Sequence, residues 1–429
     1  MDHGEVSKAL SPKSTNINFL PQELKCNILS RLSVKLLCIC RLVSKEWLGI
    51  ISAPYFQALH LDRSKENHML LLLDQFVDID ADEDDELESD EDEYGYQENE
   101  DLLNNEEDYI EEMGQIYYQA GYNVNRYPRK QLFRITAMDL RGMTQYVFRM
   151  PVKGNFEMLP SNHGLVCFNN NDDFYIYNPS TQEFTTTPVA SPSTCEGMNS
   201  SFGYLPSTRE YKLAHMYDQS LSVFSYNIGC EIYTLSVGTP SPGVVTSQQN
   251  CWKQVKQTCP YLVEGRGVLV NDTFYWLIWD ERANRVNKLI LSLDLEREKF
   301  EVVRHPPVIS YETGIIQVHD IHLVELRGYL CLAGTYASPQ VLDIWVLEDY
   351  RDIVWVKKYS IVLSMLDGFS IQLSEITVLG YQNGEIIVDS GEEGLDFYNV
   401  ETKTFRRQNK MNLKDDTKLC LYTDCFDSF

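Results

Sequence analysis

Phe174-Tyr-Ile-Tyr-Asn-Pro-Ser-Thr-Gln-Glu-Phe184 reads as a strand, a tight reversal and the start of a return strand. Aromatic and β-branched residues up to Tyr177 suit a pleated, half-buried strand. Asn178-Pro-Ser-Thr181 is turn chemistry, and Phe184 leads the return. The arrangement recurs. Leu291-Ser-Leu-Asp294 is followed six residues later by Phe300, Ile344 to Asp349 by Trp355, and Phe397-Tyr-Asn399 by Phe405. In the last copy Glu401-Thr-Lys403 supplies the turn.

The anchors Asp294, Asp349 and Asn399 lie 55 and 50 residues apart, and Asn178 precedes Asp294 by 116, about two such periods. The missing middle copy is predicted as a hairpin from Cys230-Glu-Ile-Tyr-Thr to Trp252-Lys-Gln-Val, widened by the Ser/Pro/Gly-rich insert 238–250. A degenerate first copy is expected near Asp139. Around these anchors, from Leu132 onward, short aromatic and β-branched runs alternate with Gly, Asn, Asp and Pro turns, the pattern of antiparallel strands. A unit over 126–425 at roughly 40–50 residues per repeat predicts about six blades of an all-β propeller. A stacked sandwich is the alternative; so long a period with a hairpin inside favours radial repetition.

Further toward the N-terminus the period changes. Pro21 sits where a helix starts, because its missing N–H would be unpaired there anyway. Glu23 suits the positive end of the same helix. Leu24, Ile28 and Leu32 recur at four-residue spacing with Leu29 beside them, one apolar stripe. Ser33 is a candidate N-cap for a second helix carrying Val34, Leu37, Arg41, Ser44 and Trp47, with Pro54 ending the run. That second helix is too apolar for a single-faced surface helix. A module of residues 16–61 buries so much apolar surface only with help, from an obligate partner or from the β unit.

Between the two lies an abrupt shift of charge. Residues 62–125 are read as an acidic, largely disordered linker. No Lys or Arg occurs from Glu66 to Asn125, and residues 78–112 hold 20 of the 63 Asp and Glu. The formal net charge of -26 therefore belongs mainly to one segment. Like charges and low hydrophobicity predict a solvated spacer there, or an electrostatic lure for a basic partner. Residues 1–15 read as a disordered leader. The charge argues against binding to nucleic acid, whose phosphates need a basic surface.

The string Leu20-Pro-Gln-Glu-Leu24 through His60-Leu61 closely resembles the F-box. Its matching features are the Leu-Pro start, Ile28-Leu29, Leu32, Val34-Lys35, Leu37, Arg41, Val43-Ser-Lys45, Trp47 and Pro54-Tyr-Phe56. The resemblance implies docking to a Skp-type adaptor, and through it to a cullin scaffold. The implied adaptor-binding residues are Leu20, Pro21, Leu24, Ile28, Leu29, Leu32, Val34, Leu37 and Val43, with Trp47 and Pro54 holding the motif together. Gly164-Leu-Val-Cys-Phe, Phe202-Gly-Tyr-Leu-Pro-Ser-Thr-Arg-Glu-Tyr-Lys-Leu and Gly267 to Trp276 resemble the F-box-associated domain of land plants, which is related to kelch-type propellers. Asp272 departs from that family's usual Gly.

The resemblance implies the substrate-recognition subunit of an SCF-type ubiquitin ligase, with the propeller binding an unknown target protein. Loops 238–250 and 188–200 are the candidate contributors to that surface. The alternative is a non-degradative scaffold or ligand sensor that retains the F-box. No phosphate-binding loop, dinucleotide fingerprint or nucleophile elbow is present, so no cofactor and no catalysis are expected. His319 and His322, three apart on a strand, point to opposite sides and do not suit a shared metal. The 11 cysteines lack paired spacing and read as reduced, buried thiols. The polar start and the lack of an apolar run of about 18 residues predict no signal peptide and no membrane span, hence nucleus and/or cytoplasm.

Overall fold

A computed structural model describes residues 20–76, 132–140, 144–150, 157–159, 163–169, 173–191, 200–218, 228–236, 251–259, 261–279, 288–306, 318–337, 340–363, 376–391, 394–408 and 418–426. The leader, the acidic stretch from 77 to 131 and insert 238–250 lie outside them.

Four helices come first: α1 (Gln22–Leu29), α2 (Val34–Cys40), α3 (Lys45–Ile51) and α4 (Pro54–Lys65). Where the sequence suggests one long second helix, two are found. Ser44 breaks it: extended backbone there lets its hydroxyl accept the Trp47 amide at 3.1 Å, a new N-cap. Pro54 does not merely end the run. It occupies the first position of α4, where its lost donor costs nothing, and α4 continues past residue 61 to Lys65.

Six four-stranded antiparallel sheets follow. The first blade holds β1 (Met69–Phe76), β2 (Leu132–Asp139) and β3 (Thr144–Met150), and the second β4 (Glu157–Leu159), β5 (Val166–Asn169), β6 (Phe174–Asn178) and β7 (Glu183–Thr186). The third comprises β8 (Ser200–Leu205), β9 (Glu210–Asp218), β10 (Ile228–Ser236) and β11 (Lys253–Gln254). The fourth comprises β12 (Leu262–Val270), β13 (Thr273–Trp279), β14 (Lys288–Asp294) and β15 (Lys299–Val303). The fifth comprises β16 (Val318–Leu326), β17 (Tyr329–Ala337), β18 (Gln340–Asp349) and β19 (Val354–Val362). The sixth comprises β20 (Ile376–Gln382), β21 (Glu385–Ser390), β22 (Leu395–Asn399) and β23 (Phe405–Gln408). The last strand, β24 (Lys418–Tyr422), returns to the first blade and pairs with β1, giving the order β24-β1-β2-β3.

The anchor residues have a common chemistry. Asn178, Asp294, Asp349 and Asn399 each close the third strand of a blade, and each side-chain oxygen accepts the amides two and three residues on, at 2.8–3.2 Å. The residue four on, Gln182, Glu298, Ile353 or Lys403, takes positive φ and turns the chain into the fourth strand. The period seen in the sequence is thus a recurring side-chain-built turn. The widened hairpin of blade three is found where expected, with Glu231 opposite Gln254. At the Gly-to-Asp departure, Asn271 and Asp272 have φ of 50° and 58°, the twist of a two-residue hairpin turn. Asp272 Oδ2 accepts the Ser207 hydroxyl at 3.1 Å.

One expectation is corrected. Residues 62–76 do not belong to a disordered linker. The first four complete α4, and Met69–Phe76 form β1. Leu70 and Leu72 face the sixth blade beside Ile387 and Phe397. Met69, Leu71 and Leu73 face the second blade beside Phe168 and Tyr177. A continuous apolar run is what a strand buried on both faces needs. The propeller therefore begins at Met69, and a fragment starting at residue 126 lacks one strand of its closing blade. Leu71→Ala, which empties a fully buried site, is expected to destabilise the fold by about 2–5 kcal/mol, read from urea unfolding of full-length protein.

Candidate docking surfaces

The helices build a small core from Cys26, Leu29, Val34, Leu37, Ile50, Ile51 and Phe56. Lys25 of α1 pairs with Glu46 of α3, and Arg63 of α4 donates to the Asn27 carbonyl at 2.7 Å. The core is too small for all the apolar residues supplied. Leu24, Ile28, Leu36, Ile39, Leu42, Val43, Leu48 and Tyr55 stay exposed, Leu42 at 86% and Tyr55 at 73%. So dense an apolar surface on four short helices is the mark of a docking face.

The nine sequence-predicted residues divide. Pro21, Leu24, Ile28 and Val43 are exposed, and Leu20 and Leu32 are half-buried. Leu29, Val34 and Leu37 are buried at 2% or less in the helical core, so they support the surface from beneath and do not form it. A stripe at four-residue spacing marks one side of a helix, but does not say whether core or partner covers it. Leu36, Ile39 and Leu42, outside those nine, are also exposed on these helices; the apolar excess of the stretch after Ser33 is their only signal in the sequence. Trp47 packs on the helical core as expected.

The helices are joined to the propeller by residues that follow β24. Asp424 Oδ2 accepts the Val34 amide at 2.7 Å, capping α2 where Ser33 makes no side-chain bond. Its other oxygen accepts the Ser180 hydroxyl from the turn of blade two. Burial pushes the Asp424 carboxyl up, and those donors pull it back. Phe426 enters the helical core, with His60 edge-on at 5.2 Å and the Arg41 guanidinium 4.8 Å from its ring centre. Cys425 packs on Gly164, whose φ is +89° and where a Cβ would lie 2.1 Å from Sγ. These contacts had no signature in the sequence.

The antiparallel register gives the propeller two unlike faces. α4 leads into the start of β1, so the helices share a face with the short turns closing third strands. The opposite face receives the ends of the long connections, 76 to 132, 186 to 200, 303 to 318 and 362 to 376. Loop 188–200 opens there, whereas insert 238–250 joins β10 to β11 and has both ends on the helical face.

A channel of about 1420 Å³ runs between the blades, with Lys65, Glu66 and His68 at the helical end and the Arg266–Glu157 pair, 3.2 Å, in its wall. His322 also lines it and accepts the Val378 amide at Nε2, 2.9 Å. Burial drives its pKa down to about 4. Among the described residues no group of three or more His, Cys, Asp or Glu is placed to hold a metal ion, and no helix is long and apolar enough to cross a membrane.

A β-propeller carrying a short helical module with an uncovered apolar face defines a two-part binding protein. Residues 129–427 match the family described as F-box associated beta propeller domain, and residues 17–57 match the family described as F-box-like. The chain belongs to the F-box proteins with an associated propeller. Among relatives, it is 25% identical to F-box protein CPR1 of Arabidopsis thaliana over 60% of this chain and 65% of that protein. It is 23% identical to F-box protein DOR of the same plant, over 80% of this chain and 75% of that one. The chain thus spans a little under two thirds of CPR1. A solved structure, Pyrococcus horikoshii acylaminoacyl peptidase, aligns over 66% of this chain and 42% of that one, with 12% identity and a TM-score of 0.37.

The His322 environment makes a prediction of definite sign. Its folded pKa, about 4, lies below the ordinary 6.5, so between those values the unfolded chain takes up a proton that folded His322 refuses. Falling pH therefore removes stability across that window, on the order of 3 kcal/mol from this group. In His322→Gln, whose side chain can still accept the Val378 amide, the fall in stability between pH 6.5 and 4 is expected to be shallower, by chemical denaturation at stepped pH.

Proposed function

We propose that this protein is the non-catalytic substrate-recognition subunit of a Skp-cullin-F-box ubiquitin ligase. The observation that carries the reading is the exposed apolar surface on the F-box-like helices, which are otherwise well packed. A Skp-type adaptor is the partner that fits it, and the cullin is reached through that adaptor. Leu24, Ile28, Val43 and Pro21 form the contact, widened by Leu42, Leu36 and Ile39. Leu20 and Leu32 lie at its edge. The protein works in the nucleus or the cytoplasm.

The target protein is held by the propeller face remote from the helices. The long connections support this: loops that vary in length without disturbing the strands beneath are where propellers build specificity. Loop 188–200 contributes to the target surface, whereas insert 238–250, whose ends lie on the face that carries the helices, does not.

Leu24→Asp with Ile28→Asp puts two charges on the exposed face without touching the core. Adaptor affinity is expected to fall by about a hundredfold, with thermal unfolding unchanged, by calorimetric titration of purified adaptor. Undiminished binding would reject this face as the adaptor surface. Accumulation of propeller-bound proteins on proteasome inhibition separates a ligase receptor from a non-degradative scaffold.

A further inference from the structure

We infer that Thr423–Phe426 form a latch that makes adaptor docking conditional on closure of the propeller. This rests on the reading of the helices as the adaptor surface. The four residues are buried, and they follow all six blades in the chain. Each of them ties helices or strands that are far apart in sequence. Thr423 Oγ1 meets His68 Nδ1 at 3.1 Å, between α4 and β1. Asp424 bridges the α2 amide of Val34 and the blade-two turn at Ser180, whose hydroxyl also meets that of Tyr422 on β24. The Asn178 side-chain amide donates to the Cys425 carbonyl at 3.4 Å, and the Cys425 thiol donates to the His163 carbonyl at 3.2 Å. Phe426 fills the helical core against Phe56 and His60.

The consequence concerns the docking surface. α2 has only seven residues, and isolated helices of that length are unstable in water. Its first amide is satisfied by Asp424, and the core beneath it is completed by Phe426. Pairing of β24 with β1 delivers residues 423–426 to those positions, because Tyr422 sits opposite Met69 and Thr423 follows it directly. Helices in a chain with an open ring therefore lack both the cap and one aromatic of their core. A receptor that has not closed its substrate-binding propeller would present no competent docking face, and so would not occupy the adaptor.

The test uses full-length protein and purified Skp-type adaptor. Phe426→Ala removes the latch from the helical core, and Ser180→Ala cuts it from the propeller side, on a residue that belongs to no helix. Phe426→Ala is expected to weaken adaptor binding about tenfold or more, and Ser180→Ala several-fold, while the cooperative β-sheet unfolding transition is kept. Wild-type affinity in Phe426→Ala overturns the latch. If Phe426→Ala also loses the β transition, Ser180→Ala decides: reduced affinity supports the coupling, and unchanged affinity overturns it. Absence of binding by the wild-type protein would instead reject the adaptor reading itself.

Discussion

The five-residue pairing of Lys418–Tyr422 with Met69–Leu73 is the constraint on which the rest of the molecule depends. A propeller is a ring of sheets that each contact their neighbours, and the first and last must meet. Here the first blade takes its innermost strand from beyond the sixth blade and its second strand from directly after α4. The apolar run of β1 is buried on both sides, one row against blade two and the other against blade six. Closure thus draws on two hydrophobic interfaces and a hydrogen-bonded ladder at once. It also fixes the helices. Only Glu66, Asn67 and His68 separate α4 from β1, and Thr423–Phe426 leave β24, its neighbour, to enter the helical core. One short tether lets a module swivel. Two, leaving adjacent hydrogen-bonded strands and one of them buried, do not.

How much of this could be read in advance follows from the range of each interaction. The blade repeat was legible because its turn is local. An Asn or Asp oxygen takes two amides within three residues, and a strand precedes it and a strand follows. The spacing of those turns pointed to the third-blade hairpin even with its long insert. The helical module was legible because apolar spacing and Pro21 act within a turn or two. β1 was not. Its run Met69 to Leu73 abuts the acidic stretch, so charge density drew the boundary in the wrong place, and its partner lies about 350 residues away in sequence. Ser33 stands at the start of α2 as expected, yet the cap on the Val34 amide comes from Asp424, 390 residues beyond Val34. Nothing periodic marks a single carboxylate and a single phenyl ring that act at such a distance.

The split among the predicted docking residues has the same origin. Leu29 and Ile28 are neighbours in one helix, and one is buried at 2% while the other is 43% exposed. Sequence spacing assigns both to an apolar arc. Only the crossing of α1 by α3 and α4 decides which part of the arc is covered. The module contains more apolar residues than a core of its size can enclose, and that excess, rather than any one residue, was the readable sign of a partner.

Strand direction, not composition, sorts the connections. Insert 238–250 and loop 188–200 looked alike as sequence, polar and rich in small residues. Blade topology sends their ends to opposite faces, because one joins the third strand to the fourth and the other joins two blades. On the helical face the turns of blades two, four, five and six are short and anchored by Asn and Asp side chains, blade three with its insert being the exception, and the turn at Asn178 is itself held by Cys425. Lengthening such a turn would displace the residues that seat the helices. On the far face a connection can lengthen at modest entropic cost, since closing a longer loop costs only slowly more. The acidic stretch after Phe76 is the extreme instance. It interrupts the closing blade between its second and third strands, yet β1 and β2 still pair in register from Met69 with Asp139 to Phe76 with Leu132. Its two ends, Phe76 and Leu132, pair on the face away from the helices, so its length does not enter the turns that seat them.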